Sequence, residues 1–157
     1  MKIPKVYLET TIFNFYFAED APDKKKETLK MFEEIKNGKY KPYISNAVLV
    51  ELSRDTEPKR GQMLSLIETY NIELLPAHAD EFRLANIYVS EGIIPEKYAT
   101  DALHIASTTV NDLDFIISYN FQHIVKRKTM MMTESINLRE GYKRIGIFSP
   151  NEVIENE

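Results

Sequence analysis

Three acidic residues and one amide lie at points in the chain where their side chains could hold a metal ion. Glu9 closes an apolar run, Glu51 lies early in a helical segment, Asp101 opens another, and Asn120 follows a second apolar run. Oxygen ligands of this kind suit Mg²⁺, which usually takes one or two carboxylates together with waters and substrate phosphates. Two such ions can stabilise the attacking and leaving oxygens of a phosphodiester. The four residues therefore indicate metal-assisted phosphodiester hydrolysis, provided that the fold brings them together.

Each of the four residues also has an ordinary explanation. Glu9 could be a surface carboxylate at a strand end, and Glu51 could pair with Arg54 three residues later. Asp101 could favour a helix N-terminus through the helix dipole, and Asn120 could be a turn residue. No single residue decides between these explanations. The hypothesis depends on all four residues falling at one edge of the fold.

Alternating strands and helices are the structural frame that the sequence predicts. Short runs rich in branched and aromatic residues predict strands over residues 5–9, 41–44, 72–75, 114–118 and 145–148. Helical spacing of apolar residues, or helix start and stop signals, predict helices over residues 23–36, 45–52, 58–70, 80–90 and 101–110. We take Asp23 and Thr100 as N-caps of two of these helices. The alternation predicts an α/β fold, a three-layer α/β/α sandwich with a central parallel sheet of about five strands.

This frame places the candidate residues at one edge. In open α/β sheets, ligands bind outside the carboxyl ends of the strands. Glu9 ends the first predicted strand and Asn120 follows the fourth, while Glu51 and Asp101 lie in helices next to the second and fourth. Asp114 is a useful contrast, because it begins the fourth strand and lies roughly 13 Å from that edge at ~3.3 Å per residue. We therefore leave Asp114 out of the candidate site.

Composition excludes several other kinds of protein. The 157 residues suit one domain, which we place over residues 1–157, and 43% hydrophobic with 28% charged residues is an ordinary globular mixture. The chain has no cysteine and only three histidines, so thiolate chemistry is excluded and most zinc sites are disfavoured. No apolar run approaches a membrane span and no signal peptide is recognisable. We expect a cytoplasmic protein that does not enter membranes.

Charge is unevenly distributed along the chain. The net charge is −4, and residues 51–121 carry 5 basic and 12 acidic groups. Residues 122–144 carry only 2 acidic groups and 6 basic ones, namely Lys126, Arg127, Lys128, Arg139, Lys143 and Arg144. An acidic middle beside a basic stretch suits a metal site next to a surface that binds a phosphate backbone. The alternative is that the six cations form an ordinary solvated face.

Four segments of the sequence resemble the successive motifs of the PIN-domain family. They are residues 6–11 (Val-Tyr-Leu-Glu-Thr-Thr), 44–52, 101–106 (Asp-Ala-Leu-His-Ile-Ala) and 116–121 (Ile-Ile-Ser-Tyr-Asn-Phe), in this order and within about residues 4–150. The resemblance implies an α/β/α sandwich and a ribonuclease that depends on Mg²⁺ or Mn²⁺. Many bacterial members are toxins of toxin–antitoxin pairs and form dimers, so it also implies RNA as substrate, an antitoxin partner and a homodimer.

The resemblance also assigns roles to individual residues. It places the family's four acidic metal-site positions at Glu9, Glu51, Asp101 and Asn120. Thr10 or Thr11 and Ser118 would supply nearby hydroxyls, and His104, one helical turn from Asp101, would either orient a carboxylate or be a buried structural histidine. Two positions depart from the family pattern, which usually has Asp where this chain has Glu9 and Asn120. An amide adds no negative charge, so we expect weaker binding of at least one metal.

Two other functions remain open at this stage. Asn120 favours a PIN-like domain with a weakened site that acts as a nucleic-acid-binding or scaffold module. A phosphoacceptor regulatory domain would also carry acids at the carboxyl end of a parallel sheet. Such domains have a lysine just after the fifth strand, where this chain has Ser149 and Pro150. That difference counts against the phosphoacceptor reading.

Overall fold

A five-stranded, entirely parallel sheet forms the centre of the protein. A computed structural model describes residues 2–155. The strands run in the order β3-β2-β1-β4-β5. Their bounds are β1 Lys5–Leu8, β2 Lys41–Ile44, β3 Glu73–Leu74, β4 Phe115–Ile117 and β5 Gly146–Phe148. All five predicted strands are therefore confirmed, and because every neighbouring pair is parallel, all carboxyl ends meet at one edge.

Helices flank the sheet and complete the three-layer α/β/α arrangement that the sequence predicts. Within residues 2–155 they are α1 Thr10–Tyr16, α2 Pro22–Lys36, α3 Asn46–Ser53, α4 Lys59–Thr69, α5 Ala79–Ser90, α6 Ala99–Val110, α7 Arg127–Arg139 and α8 Pro150–Val153. A short 3-10 helix, Glu96–Tyr98, leads into α6. Among the described residues, no helix is both long enough and apolar enough to cross a membrane.

The N-caps of two helices differ from those that the sequence predicts. Pro22 occupies the first turn of α2, so the helix starts before Asp23 and Ala21 is the cap. Proline suits this position because its fixed φ is already helical and its missing N–H needs no partner there. Helix α6 starts at Ala99 after the 3-10 segment, so Thr100 lies inside it rather than at its cap. The second shift places Asp101 within the first turn of α6.

Strand β1 lies in the middle of the sheet and carries the best-buried part of the core. Val6, Tyr7 and Leu8 have no solvent exposure. In register, Tyr7 pairs with Tyr43 of β2 on one side and with Ile116 of β4 on the other. A strand buried on both faces is apolar along its whole length rather than alternately. This central position brings Glu9, the next residue after β1, to the middle of the carboxyl edge.

Candidate metal site at the carboxyl edge of the sheet

Glu9 is held at the end of β1 by three hydrogen bonds to one carboxylate oxygen. Its backbone N–H continues the sheet ladder to Ile117 O at 3.1 Å, and its side chain caps α1. Oε1 accepts bonds from Thr11 Oγ1 at 2.5 Å, Ser118 Oγ at 2.6 Å and Thr11 N at 3.2 Å. The side chain is almost fully buried. A capping carboxyl group that accepts bonds from several donors is fixed both in place and in orientation.

Glu51, in α3, is held in a similar way through a buried chain of hydrogen bonds. Its Oε1 accepts a bond from Thr10 Oγ1 at 2.6 Å and lies 2.6 Å from His104 Nε2. The other nitrogen of His104, Nδ1, lies 2.6 Å from the Tyr7 hydroxyl, which is 2.6 Å from Ser45 Oγ. An ionised carboxylate can only accept, so Nε2 carries the proton between His104 and Glu51. His104 therefore orients the carboxylate of Glu51, which is one of the two roles expected for this histidine.

Burial and this hydrogen bond act in opposite directions on both partners. Burial alone would lower the pKa of His104, but the bond from Nε2 to Glu51 and the nearby acidic charges raise that pKa overall. Burial alone would raise the pKa of Glu51, but the bonds from His104 and Thr10 lower it overall. Burial also raises the pKa of Tyr7, whose hydroxyl stays protonated. The hydrogen bond thus favours the protonated form of His104 and the ionised form of Glu51.

The second carboxylate oxygen of each glutamate has no such partners. Among the described residues, every hydrogen bond to the carboxylates of Glu9 and Glu51 reaches Oε1, and none reaches Oε2. Ligand atoms of Glu9, Glu51 and His104 lie within 4.8 Å of one another. Both nitrogens of His104 are already engaged, so the carboxylates are the groups that remain for an ion. Two fixed carboxylates with one open oxygen each fit a hard divalent cation.

Asp101 adds a third carboxylate from the first turn of α6. Burial raises the pKa of Asp101, and the negative charge of Glu9 raises it further. His104 and Asn120 act in the opposite direction, but the pKa remains above its ordinary value. Asp101 is therefore close enough to Glu9 for the two charges to repel each other. The structure brings the three predicted carboxylates to one edge.

Asn120 lies beside this group, but its amide oxygen faces the protein backbone. Oδ1 accepts a hydrogen bond from His123 N at 2.9 Å, in the loop after β4. Asn120 nevertheless lies close enough to Asp101 to lower the pKa of that carboxyl. An amide oxygen has two lone pairs, so the bond from His123 N leaves one of them free. The ligand role of Asn120 therefore stays a prediction.

The predicted hydroxyl residues all contact the carboxylates. Thr10 bonds to Glu51, while Thr11 and Ser118 bond to Glu9. Sequence reasoning missed Tyr7 and Ser45, which complete the chain behind His104. Alternation along a strand would have indicated Tyr7, since residues two apart point to the same face and Tyr7 precedes Glu9 by two. A tyrosine in a buried strand, two residues before a carboxylate, therefore indicates that its hydroxyl belongs to the hydrogen-bonded group behind that carboxylate.

The six predicted nucleic-acid-binding cations are not brought together. Lys126, Arg127 and Lys128 follow the carboxyl end of β4, on the side of the site. Helix α7 then runs back along the sheet for roughly 20 Å at 1.5 Å per residue. Its end and the following loop carry the other three, each in an ion pair with an acid: Arg139 with Glu91, Lys143 with Asp114 and Arg144 with Glu134.

A cavity of about 280 Å³ adjoins the site on the side of α3. Glu51 and Arg54 form part of its polar wall, and Val50, Phe82 and Leu103 form part of its apolar wall. It meets the carboxylate group only through Glu51. The cavity is therefore a neighbour of the site rather than its centre.

Fold and site together define an α/β protein with a cluster of Glu9, Glu51 and His104 at the carboxyl edge of a parallel sheet, and with Asp101 at the same edge. Known protein families and curated proteins offer no match to this chain: no family model fits the sequence, and no curated protein is significantly similar to it.

Proposed function

We propose that the protein is a ribonuclease that depends on a divalent metal and hydrolyses RNA phosphodiesters. The observation that carries the proposal is the convergence of Glu9, Glu51 and Asp101 at the carboxyl edge, with Oε2 of each glutamate open. These three carboxylates would hold Mg²⁺ or Mn²⁺. When bound, the cation would lower the pKa of water and neutralise charge on the phosphate. The resemblance of the sequence to PIN domains supplies the choice of RNA.

The protein's own residues would keep the site in place before RNA arrives. Thr11 and Ser118 fix Glu9, and His104 with Thr10 fixes Glu51. Such preorganisation matters because ligands that need not move lose little entropy when the ion binds. A bound cation would also offset the repulsion between the charges of Asp101 and Glu9. These contacts support the proposed metal site.

Cleavage of an end-labelled, mixed-sequence RNA tests the proposal. We expect cleavage with Mn²⁺ or Mg²⁺ and none with EDTA. Asp101→Asn should reduce the rate roughly 100-fold or more, because even residues that only support metal ligands are worth 10- to 100-fold. Asp112→Asn is a matched control: it makes the same chemical change at an exposed residue on the opposite edge, where φ is +60° and asparagine is tolerated. Equal rates for the two variants would contradict the proposal.

A second candidate function rests on Asn120. The fourth position contributes no charge, and the amide oxygen of Asn120 already accepts a hydrogen bond from His123 N. A domain of this kind could bind RNA without cutting it and act as a scaffold. Retained RNA binding with no cleavage under any metal would favour this function. Restored or increased cleavage in Asn120→Asp would favour an active but weakened nuclease.

The biological setting is a further part of the proposal. We propose that the ribonuclease is the toxin of a type II toxin–antitoxin pair, acts in the cytoplasm and forms a homodimer, as the family resemblance implies. Induced expression should then arrest bacterial growth, and Asp101→Asn should remove the arrest. Sedimentation of the purified chain measures the dimer directly. Growth arrest that persists in the Asp101 variant would contradict toxicity by RNA cleavage.

A further inference from the structure

An exposed aromatic ring and a lysine lie next to the candidate metal site without any role in holding it. Phe121 follows Asn120 directly, and 49% of it is exposed. Lys24, from the start of α2, places its ammonium 5.7 Å from the centre of the Phe121 ring. We propose that Lys24 and Phe121 form a subsite for one nucleotide of single-stranded RNA, with a base stacked on Phe121 and a phosphate bound by Lys24. The inference rests on the proposed function for its substrate class.

Lys24 is held by aromatic rings rather than by carboxylates. Its ammonium lies 5.0 Å from the ring centre of Phe15 and 5.8 Å from that of Tyr119, in addition to Phe121. These distances fall within the range of cation–π contacts. Among residues 2–155, no acidic side chain forms an ion pair with Lys24, whereas its neighbour Lys25 pairs with Glu19. The charge of Lys24 is thus not cancelled by a carboxylate and can attract a phosphate.

The aromatic support of this subsite is fixed by hydrogen bonds. The Tyr119 hydroxyl lies 2.9 Å from Thr28 Oγ1 and donates to Lys24 O at 2.9 Å. The rings of Phe15 and Tyr119 pack with centroids 4.7 Å apart. A rigid platform loses little entropy when a base stacks on it. Phe121 is the member of this group that stays open to solvent.

The same platform is joined to the candidate metal site. Tyr119 N donates to Thr11 Oγ1 at 2.9 Å, and Thr11 Oγ1 donates to Glu9 Oε1 at 2.5 Å. The two neighbours of Asn120 therefore have different roles. Tyr119 links the aromatic group to Glu9 through Thr11, and Phe121 presents a solvent-exposed ring. A nucleotide next to the scissile phosphate would fall on this platform. The acidic site itself repels RNA, so a nearby cation and a stacking surface supply attraction that it lacks.

A stacking surface also distinguishes single-stranded RNA from a duplex. A base can lie on Phe121 only when it is not already stacked within a helix, and every base has a face that can stack. The subsite should therefore prefer single-stranded RNA over a duplex and show little preference among bases. Binding should weaken with salt because Lys24 displaces counterions from the backbone.

Fluorescence anisotropy with a labelled single-stranded RNA, in EDTA at low salt, tests the subsite apart from any metal chemistry. We expect Phe121→Ala to weaken binding roughly 5- to 100-fold, the range for loss of one base–aromatic stack. Phe121→Leu should lose nearly as much, because it keeps apolar bulk but has no ring. Lys24→Gln should lower the salt slope by about 0.7, the contribution of one phosphate contact on a single strand.

Two further variants control for the general loss of an aromatic ring or a positive charge, and a fluorescent base reports stacking directly. Phe82→Ala removes another ring of similar exposure, and Lys26→Gln removes a nearby cation that lies over no ring of the described chain; both should bind as the parent. The fluorescence of 2-aminopurine placed in the RNA should be quenched by the parent protein but not by the Phe121→Leu variant. Unchanged binding in Phe121→Ala and Lys24→Gln, equal affinity for duplex RNA, or no binding of RNA by the parent would each overturn the subsite.

The two proposals can fail separately. Metal-dependent cleavage with RNA affinity unaffected by Phe121 and Lys24 would keep the nuclease and remove the subsite. RNA binding that depends on Phe121 and Lys24, without cleavage under any metal, would keep the subsite and remove the nuclease. The first result directs the search for RNA contacts to Lys126, Arg127 and Lys128, and the second favours the scaffold function.

Discussion

Acids at the two edges of the sheet are treated in opposite ways. At the amino edge, Asp114 accepts a hydrogen bond from Lys5 N at 2.7 Å and pairs with Lys143 Nζ at 3.5 Å. At the carboxyl edge, no lysine or arginine of the described chain forms an ion pair with Glu9, Glu51 or Asp101. The acid at the amino edge is thus paired with a lysine, whereas at the carboxyl edge the partner of Glu51 is His104.

The pKa directions of two aspartates express the same difference. Burial acts to raise both pKa values, but the Lys5 N–H and Lys143 bring the pKa of Asp114 below its ordinary value. The pKa of Asp101 stays above its ordinary value, because Glu9 adds to the effect of burial. A lowered carboxyl pKa means that folding favours the charge, and a raised one means that folding opposes it. Perturbations of the second kind are typical of functional sites.

The largest expected effect is that a metal ion stabilises the folded protein by binding at the carboxyl edge and not at the amino edge. Mn²⁺ at 100 times its dissociation constant should stabilise the fold by about 2.7 kcal/mol, a rise of roughly 5–10 °C in the unfolding midpoint. Glu51→Gln should lose this rise, because the amide keeps the shape but not the charge. Differential scanning fluorimetry with and without EDTA measures both. Asp112→Asn should retain the rise, and an equal rise in Glu51→Gln would place the ion elsewhere.

A pair of tyrosine variants compares hydrogen bonds at the two edges. Tyr7→Phe leaves Ser45 Oγ and His104 Nδ1 without a buried partner and should cost about 2 kcal/mol of unfolding free energy. Tyr40→Phe removes a half-buried bond to Val153 O near the amino edge and should cost under about 1 kcal/mol, since water can reach that carbonyl. Urea titration measures both. Equal costs would show that the chain behind His104 has no special role in stability.

Neutralising one aspartate at each edge should change stability in opposite directions. In EDTA at pH 7, Asp101→Asn should raise the unfolding midpoint by roughly 2–4 °C, the shift that corresponds to ~1 kcal/mol in a domain of this size. Asp114→Asn should lower the midpoint, since it removes a favourable charge. Thermal unfolding followed by circular dichroism measures both. A stabilising Asp114→Asn would contradict the distinction between the edges.

The pH dependence of the Asp114 effect has a definite sign. Because the pKa of Asp114 is lowered by folding, its contribution is present above the ordinary value of 3.8 and is lost as pH falls through the folded value. The difference between the parent and Asp114→Asn should therefore shrink below about pH 4. A difference that persisted at lower pH would point to packing rather than charge.

The fold was predictable because its signals are local and repeated. Five apolar runs predicted five strands, and parallel alternation with helices predicted which ends share an edge. Helix α7 was not predicted, because its buried face carries Thr129, Thr133 and Asn137 with Ile136 as the apolar member. A helix that buries polar side chains lacks the apolar period on which such predictions depend.

Within the site, sequence indicated which carboxylates share one edge of the sheet but not how they are held. Topology alone brings Glu9, Glu51 and Asp101 to one edge. The orientation of Asn120 depends on a backbone N–H three residues later, and the place of Lys24 beside Phe121 depends on how α2 packs. The first is a local contact within one loop and the second a tertiary contact, and the residue types alone specify neither. The basic stretch shows the same limit, since adjacency in sequence did not become adjacency in space.

The six cations of residues 122–144 are divided between the two edges. The smallest expected effect is therefore a difference in RNA affinity between variants of cations at the two edges. Lys126 lies on the side of the candidate site, while Lys143 lies at the amino edge and pairs with Asp112 and Asp114. Lys126→Gln should weaken RNA binding by a few fold and lower the salt slope by about 0.7, whereas Lys143→Gln should change neither. Anisotropy titrations over a range of salt measure both. Equal losses for the two variants would mean that RNA reaches the amino edge, and the two edges would then share one binding surface despite their different treatment of charge.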